Sequence, residues 1–312
     1  MPEPVYTHIP VSDAGGMSIH LPIADLGPGP ARLAVVAGIH GDEPSPLVLV
    51  DRFVTALRGV ELRAGIRIVA AANPPALLQR TRWSNWDDED MNRVGDGGGG
   101  PALTRRLAAA VCQAVDGCRL AVNLHNFVMR TPLLAIDPPA LVGERRARHL
   151  RYLEALDPHV VWVFADTPEE QKMFSSSLDA AIELRGVDVL AVEMADLPEL
   201  DEPLLARGIA GLMRLAAEVG CIAAPDLPLK RTTVRVQRKL VRAPGAGIFE
   251  PLAPLGGQIA EGDIVGELVP LERPGERVAV RAPAAGWLIQ RLSRRFVRPG
   301  DMIFTVGLPP DR

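Results

Sequence analysis

The chain has 312 residues, which is enough for one large domain and a smaller second one. Its hydrophobic content of 47% and charged content of 23% are typical of an ordinary soluble globular protein. The net charge of −4 and the pI near 5.9 give no electrostatic basis for binding nucleic acid, which is therefore not an expected partner.

The cysteines and the hydrophobic runs indicate a cytoplasmic protein. Cys112, Cys118 and Cys221 are few, odd in number and not in CxxC spacing, so buried thiols in a reduced compartment are favoured over a disulfide framework. The N-terminus, MPEPVYTHIP, lacks a basic segment followed by an apolar core, so no signal peptide is predicted. No apolar run approaches the roughly 20 residues that span a bilayer, so no membrane partner is expected either.

Strands alternate with helices as far as about Pro225, after an extended segment that ends near Pro30. Apolar runs predict strands at residues 33–37, 66–72, 119–125, 160–165 and 188–194. Periodicity and start signals predict helices at residues 46–57, 101–115, 143–156, 168–185 and 202–219. Because each strand is a continuous apolar run, we predict an α/β fold with a mixed, mostly parallel sheet and helices on both faces.

The sequence pattern changes near Pro225, from alternating strands and helices to short β-prone segments. We therefore predict a first domain over residues 1–225 and a β-rich accessory domain over 226–312. From Lys230 onward, short β-prone segments are divided by Gly and Pro. A weak repeat, RAPGAGIF and RAPAAGWL, is followed in each copy by a Gly-Asp turn and an apolar strand, which indicates a small barrel-sandwich-like fold. It looks like a biotinyl or lipoyl carrier domain, but the segment between the copies contains no lysine to carry the group.

Candidate catalytic residues follow three of the apolar strands. His40 and Glu43 form an HxxE pair after the first strand, His125 ends the third, and Glu193 ends the strand at 188–194. Open α/β sheets hold ligands at this edge, and a His, Glu, His set suits an open catalytic zinc site. Alone, HxxE is more often a loop with an incidental histidine and acid, and Glu193 has a competing interpretation as an ordinary residue just past its strand.

The loop after Asn73 supplies positive charge beside these residues. Arg80, Arg82 and Arg93, with Asn92, could clamp a substrate carboxylate and stabilise an oxyanion. Taken singly, each arginine is more typical of a solvated surface, and the neighbouring run DDED offers ordinary ion-pair partners.

Five motifs in order, GIHGDE, AANPPALLQRTRW, DEDMNR, NLHN and AVEM, resemble the succinylglutamate desuccinylase and aspartoacylase family, which has a zinc carboxypeptidase-like fold. The resemblance covers essentially the whole chain. It implies one Zn²⁺ bound by His40, Glu43 and His125, with Glu193 as the residue that deprotonates the zinc-bound water.

The same resemblance gives roles to the polar loop. It implies that Arg82 polarises the scissile carbonyl, although Arg80 is close enough in sequence to compete, and that Asn92 and Arg93 bind a substrate carboxylate. The chain departs from the family at Asn123, where an Asp is frequent, and after the DMNR motif and His125, where the substrate would be recognised.

The sequence therefore predicts a zinc-dependent amidohydrolase that removes an acetyl, succinyl or similar acyl group from an amino acid or related amine. Two alternatives stay open: a carboxypeptidase-type peptidase, and a non-catalytic, metabolite-binding member of the fold. The expected partner is a small acylated molecule, and the oligomeric state, with a homo-oligomer as one option, is not fixed.

Overall fold

The computed structural model describes residues 3–14, 17–138, 141–165 and 167–310 of the chain. The helices are α1 (Ser45–Ala56), α2 (Pro74–Gln79), α3 (Leu103–Val115), α4 (Gly143–Leu156), α5 (Pro168–Ser175), α6 (Leu178–Leu184) and α7 (Glu202–Glu218). The first eight strands are β1 (Val5–Ala14), β2 (Met17–Leu26), β3 (Ala31–Val36), β4 (Gly65–Val69), β5 (Leu120–Phe127), β6 (Leu134–Asp137), β7 (Val160–Val163) and β8 (Asp188–Ala195). The remaining strands are β9 (Val234–Arg242), β10 (Gly247–Pro251), β11 (Gln258–Ile259), β12 (Ile264–Pro270), β13 (Val278–Arg281), β14 (Gly286–Arg291), β15 (Arg295–Val297) and β16 (Met302–Leu308).

One long sheet runs through the molecule in the strand order β1-β2-β4-β3-β5-β8-β6-β7-β9-β16-β14-β11. The central pairs β4–β3, β3–β5 and β5–β8 are parallel, as are β6–β7 and β7–β9, whereas β6 runs antiparallel to β8. Both faces of the central strands are buried by helices, as the continuous apolar runs predicted. The predicted α/β fold class is confirmed.

The C-terminal strands form two connected layers. The strands β13, β12, β10 and β15 make a separate four-stranded antiparallel sheet, and β9, β16, β14 and β11 extend the long sheet. Both copies of the predicted repeat contain a strand after the Ala-Pro turn and another after the Gly-Asp turn: β10 with β12, and β14 with β16. Because β9 pairs with both β7 and β16, the two predicted domains share a hydrogen-bonded ladder, and the boundary at residue 225 remains a prediction.

One helix prediction and one loop prediction were wrong. The segment 168–185 is not one helix, because α5 ends at Ser175 and α6 begins anew after Ser177, whose hydroxyl accepts a hydrogen bond from the Ala180 amide. Serine favours such caps because its hydroxyl satisfies an amide that the first helical turn leaves unpaired. The segment after Asn73 was predicted as a loop but contains α2, which the Asn73 side chain caps and which starts with proline.

Helix α7 contains two glycines, and a side chain added at each would contact different neighbouring atoms. A Cβ atom at Gly211 would lie 2.7 Å from the carbonyl oxygen of Leu156, whereas at Gly208 it would meet only the Leu49 side chain at 3.0 Å. We predict that Gly211→Ala lowers the free energy of unfolding by about 1–3 kcal/mol despite the better helix propensity of alanine. Gly208→Ala, the matched control, costs less because a leucine side chain can shift. Urea denaturation measures both variants, and equal stability of the two would contradict the packing argument.

Candidate metal and substrate site

The predicted ligands meet at the carboxyl ends of neighbouring strands. After β3, Gly38 adopts a φ of 71° that turns the chain into the loop carrying His40 and Glu43. The loop packs so closely on α2 that a Cβ atom at Gly41 would lie 1.9 Å from the Ala76 carbonyl oxygen. His125 and Glu193 are directly paired in the parallel ladder of β5 and β8, so their side chains share one face of the sheet.

His40, Glu43 and His125 form one buried group, with one ligand atom of each within 4.8 Å of the others. The Nδ1 atom of His40 lies 2.6 Å from Glu43 Oε1, and His125 Nδ1 lies 2.9 Å from Glu43 Oε2. Ligand atoms of a tetrahedral zinc ion with bonds near 2.0 Å are roughly 3.3 Å apart, so this set fits zinc in both donor chemistry and spacing.

Asp90 contacts the outer side of this group and was not assigned a role from the sequence. Its Oδ1 atom lies 3.0 Å from His40 Nε2, and its Oδ2 atom accepts a hydrogen bond of 2.9 Å from Arg82 Nε. A carboxylate at Nε2 selects the tautomer with its proton there, which leaves the Nδ1 lone pair free for a metal ion. The signal was present, since Asp90 belongs to the DEDMNR motif.

Burial and neighbouring charges change the pKa values of Glu43, His125 and Glu193. Burial would raise the pKa of Glu43, but His125 and His40 hold it well below its usual range. Burial would likewise lower the pKa of His125, and the Glu43 carboxylate instead raises it to about 9. Burial raises the pKa of Glu193 to about 7, against the charge of His125.

The structure separates the two competing arginines. Arg82 lines the pocket, and its Nη1 atom lies 3.6 Å from Glu43 Oε1. Arg80 ends α2 with a φ of 56° and is not among the residues that line the pocket. The geometry therefore brings Arg82 rather than Arg80 to the candidate site.

Asn92 and Arg93 also line the pocket, and each has a structural contact. Asn92 Oδ1 accepts a hydrogen bond from the amide of Leu178, the first residue of α6, at 3.0 Å. Arg93 is exposed and donates to the Asn92 carbonyl oxygen at 2.5 Å. The Asn92 contact joins the polar loop to α6, while the Arg93 side chain keeps donors available to a ligand.

Asn123 stands where the family often has an acid, and it contacts a carboxylate from elsewhere. Its Nδ2 atom donates a 2.6 Å hydrogen bond to Asp179 Oδ1 of α6. Burial raises the pKa of Asp179, which His125 and Asn123 oppose. The carboxyl group missing from β5 is thus supplied by α6, through a long-range contact that the sequence does not reveal.

The ligands open into a pocket of about 250 Å³. Besides the predicted residues, its walls include an aromatic and apolar set that sequence analysis missed: Phe127, Ile136, Trp162, Phe164, Met173 and Phe174. Arg238 of β9 also lines it, the one contribution from the C-terminal strands among the described residues.

Comparison with known proteins agrees with the geometry. The family described as the succinylglutamate desuccinylase/aspartoacylase catalytic domain matches residues 29–219. The chain belongs to this family.

Relatives extend over nearly the whole chain. The chain is similar to the N-alpha-acetyl-L-2,4-diaminobutyric acid deacetylase of Halomonas elongata, 23% identical over 94% of this chain and 86% of that one. The product-bound ectoine utilization protein EutE (DoeB) of Ruegeria pomeroyi superposes with a TM-score of 0.81 at 22% identity, over 98% and 95% of the two chains. A metallo-carboxypeptidase from Burkholderia cenocepacia gives a TM-score of 0.55 at 17% identity, over 70% and 65%, which confirms the carboxypeptidase-like fold.

Asp90 provides a test of the outer contacts. We predict that Asp90→Asn weakens zinc binding about 10- to 100-fold, because an amide holds the His40 tautomer less firmly and adds no negative charge. Competition with a chromogenic chelator measures the affinity. Asp88→Asn is the matched control, since Asp88 is exposed two residues away in the same acidic run. Equal affinities of the two variants would show that Asp90 does not support the site.

Proposed function

We propose that the protein is a zinc-dependent amidohydrolase that removes an N-acyl group from an amino acid or related amine. The observation that carries this proposal is the buried His40, Glu43 and His125 group, with Glu193 and Arg82 around the same pocket, in a chain of the deacylase family. The Halomonas relative, whose name gives it as a deacetylase of an acylated amino acid, supports the substrate class.

The three ligands would hold zinc, which when bound supplies a Lewis acid and lowers the pKa of a coordinated water. Glu193 is placed to act as the base. It lies beside His125 in the ladder, is partly buried in the pocket, and makes no ion pair within 4 Å with any described residue. It accepts a proton from the attacking water and delivers one to the leaving amine.

Two further groups position the substrate. Arg82, held by Asp90, presents its guanidinium at the Glu43 side of the pocket and stabilises negative charge that develops on the amide oxygen. Arg93, supported by Asn92, binds the carboxylate of the amino acid through charge-assisted hydrogen bonds.

A reduced, cytoplasmic setting is part of the proposal. Cys112, Cys118 and Cys221 are all buried free thiols. None of the helices in the described part of the chain combines the length and the hydropathy that crossing a membrane requires.

The role of Glu193 is tested by Glu193→Gln. We predict a fall in kcat of about 10²- to 10⁴-fold on an N-acyl amino acid, because an amide of the same size cannot accept the proton. Glu183→Gln, a second acid of the same pocket, has a much smaller effect. Steady-state kinetics on the zinc-loaded proteins gives the comparison. A kcat of Glu193→Gln within tenfold of the parent value would contradict the assignment of Glu193 as the base.

Metal removal tests the cofactor. We predict that dialysis against a chelator abolishes deacylation and lowers the Tm, because an ion that binds only the folded state stabilises it by about 2.7 kcal/mol at 100 times its Kd. Adding back zinc restores both properties. Full activity in protein shown by elemental analysis to be metal-free, or activity on peptides but not on acyl amino acids, would contradict the proposal.

A further inference from the structure

Beyond the metal ligands, the pocket continues into a chamber with aromatic walls, formed by Phe127, Ile136, Trp162, Phe164, Met173 and Phe174. The chamber also contains one guanidinium, that of Arg238. Apolar walls with one convergent charged group are typical of a site that orients a small ligand.

Arg238 contacts two aromatic rings of the chamber. Its Cζ atom lies 3.7 Å from the centroid of Trp162 and 5.1 Å from that of Phe127. Aromatic rings at these distances stabilise the cation, and the N–H groups at its edge are the atoms with which it would bind a ligand.

Part of that edge has no hydrogen-bond partner. Nε and Nη1 of Arg238 are shielded from solvent, and no described residue accepts a hydrogen bond from either atom. Burial lowers the pKa of Arg238 to about 10, against the charges of Glu193 and Glu170, so the group stays protonated at neutral pH. Burying a cation with unpaired N–H donors costs free energy unless an anion accepts hydrogen bonds from them. The two oxygens of a carboxylate match the spacing of the N–H groups of a guanidinium.

The strand order fixes where this cation lies relative to the reacting groups. Arg82, Asn92 and Arg93 come from the segment after β4, on one side of the metal ligands. Arg238 is on β9, three strands beyond Glu193 on the other side, which is about 14 Å between backbones at the usual strand spacing. The two cationic ends of the pocket therefore lie on opposite sides of the position at which an amide would be cleaved.

We propose that Arg238, with Trp162 and Phe127, forms a subsite for a second carboxylate at the far end of the acyl group. The preferred substrate is then an N-(ω-carboxyacyl) amino acid whose acyl chain is apolar between its two carbonyl carbons. The assignment to the acyl side rests on the proposed function, because it takes Asn92 and Arg93 as the site for the carboxylate of the amino acid.

The apolar walls explain the apolar chain. Ile136, Trp162 and Met173 line the same pocket as Glu193 and Arg238, and they favour methylene groups over water. An acetyl group would leave both this volume and the Arg238 donors unused.

Matched substrates isolate the contribution of the charge. N-adipyl-glutamate and N-hexanoyl-glutamate have acyl chains of the same carbon number, and only the first ends in a carboxylate. We expect the zinc-loaded enzyme to prefer the adipyl compound in kcat/KM, and Arg238→Met to reduce this preference about 10- to 100-fold. Methionine keeps an apolar side chain of similar length beside the rings. Arg238→Lys restores part of the preference.

The control variant is Lys239→Met, which removes one positive charge from an exposed position of the same strand. It should leave the adipyl to hexanoyl ratio unchanged. Thermal unfolding of every variant shows whether the fold is retained.

Calorimetric titration with adipate gives a readout that does not depend on catalysis. We expect Arg238→Met to weaken adipate binding at least tenfold relative to the parent and to Lys239→Met. If the parent cleaves both substrates equally and all variants bind adipate alike, the subsite is wrong while the proposed deacylase function stands. If no acyl amino acid is cleaved but adipate binding depends on Arg238, the carboxylate subsite stands and the proposed function fails.

Discussion

The structure depends at its centre on one carboxylate held between two imidazoles. Each Glu43 oxygen faces the Nδ1 atom of a different histidine, at 2.6 Å from His40 and 2.9 Å from His125. All three side chains are buried, and Glu43 Oε2 also accepts from the Asn126 amide at 3.2 Å. Burying charged groups is expensive unless partners surround them, so the loop after β3 and the end of β5 must keep this register. A divalent cation bound by the three side chains would offset the remaining cost of burying the Glu43 charge.

The order of elements and the meeting of the three candidate ligands could be predicted because both depend on local signals. Continuous apolar runs identified the central strands, and the ends of those strands predicted that His40, His125 and Glu193 lie at one edge of the sheet. Parallel strands with short connections bring such ends together, so the prediction needed only the strand assignments. The helix prediction failed at residues 168–185, because the cap at Ser177 begins a new helix inside that segment.

The remaining site residues were not predicted, for physical reasons that differ between them. Asp90 is near its partner Arg82 in sequence, but the contact with His40 spans 50 positions and depends on how the polar loop folds back. Asp179 replaces an expected acid through a contact 56 positions away with Asn123. Arg238 is one of several basic residues on a strand of alternating pattern, and Arg235 on the same strand pairs with Asp137 instead. The alternation along the strand places residues 235 and 238 on opposite faces, but it does not show which face lines a pocket, because that depends on the neighbours that the long sheet supplies.

The sheet also determines how firmly the far end of the pocket is held. Trp162 and Val236 are partners in the parallel ladder of β7 and β9. Arg238 lies two residues after Val236, so the hydrogen bonds of this ladder hold its backbone in place. Val236 and Trp162 belong to one buried cluster, and Ile289 of β14 packs into it from the C-terminal strands. Moving the accessory strands away would break this ladder and expose that cluster, which costs more than a loop movement. The guanidinium is therefore preorganised by the core of the protein, and a ligand that pairs with it does not bear the cost of ordering a flexible side chain.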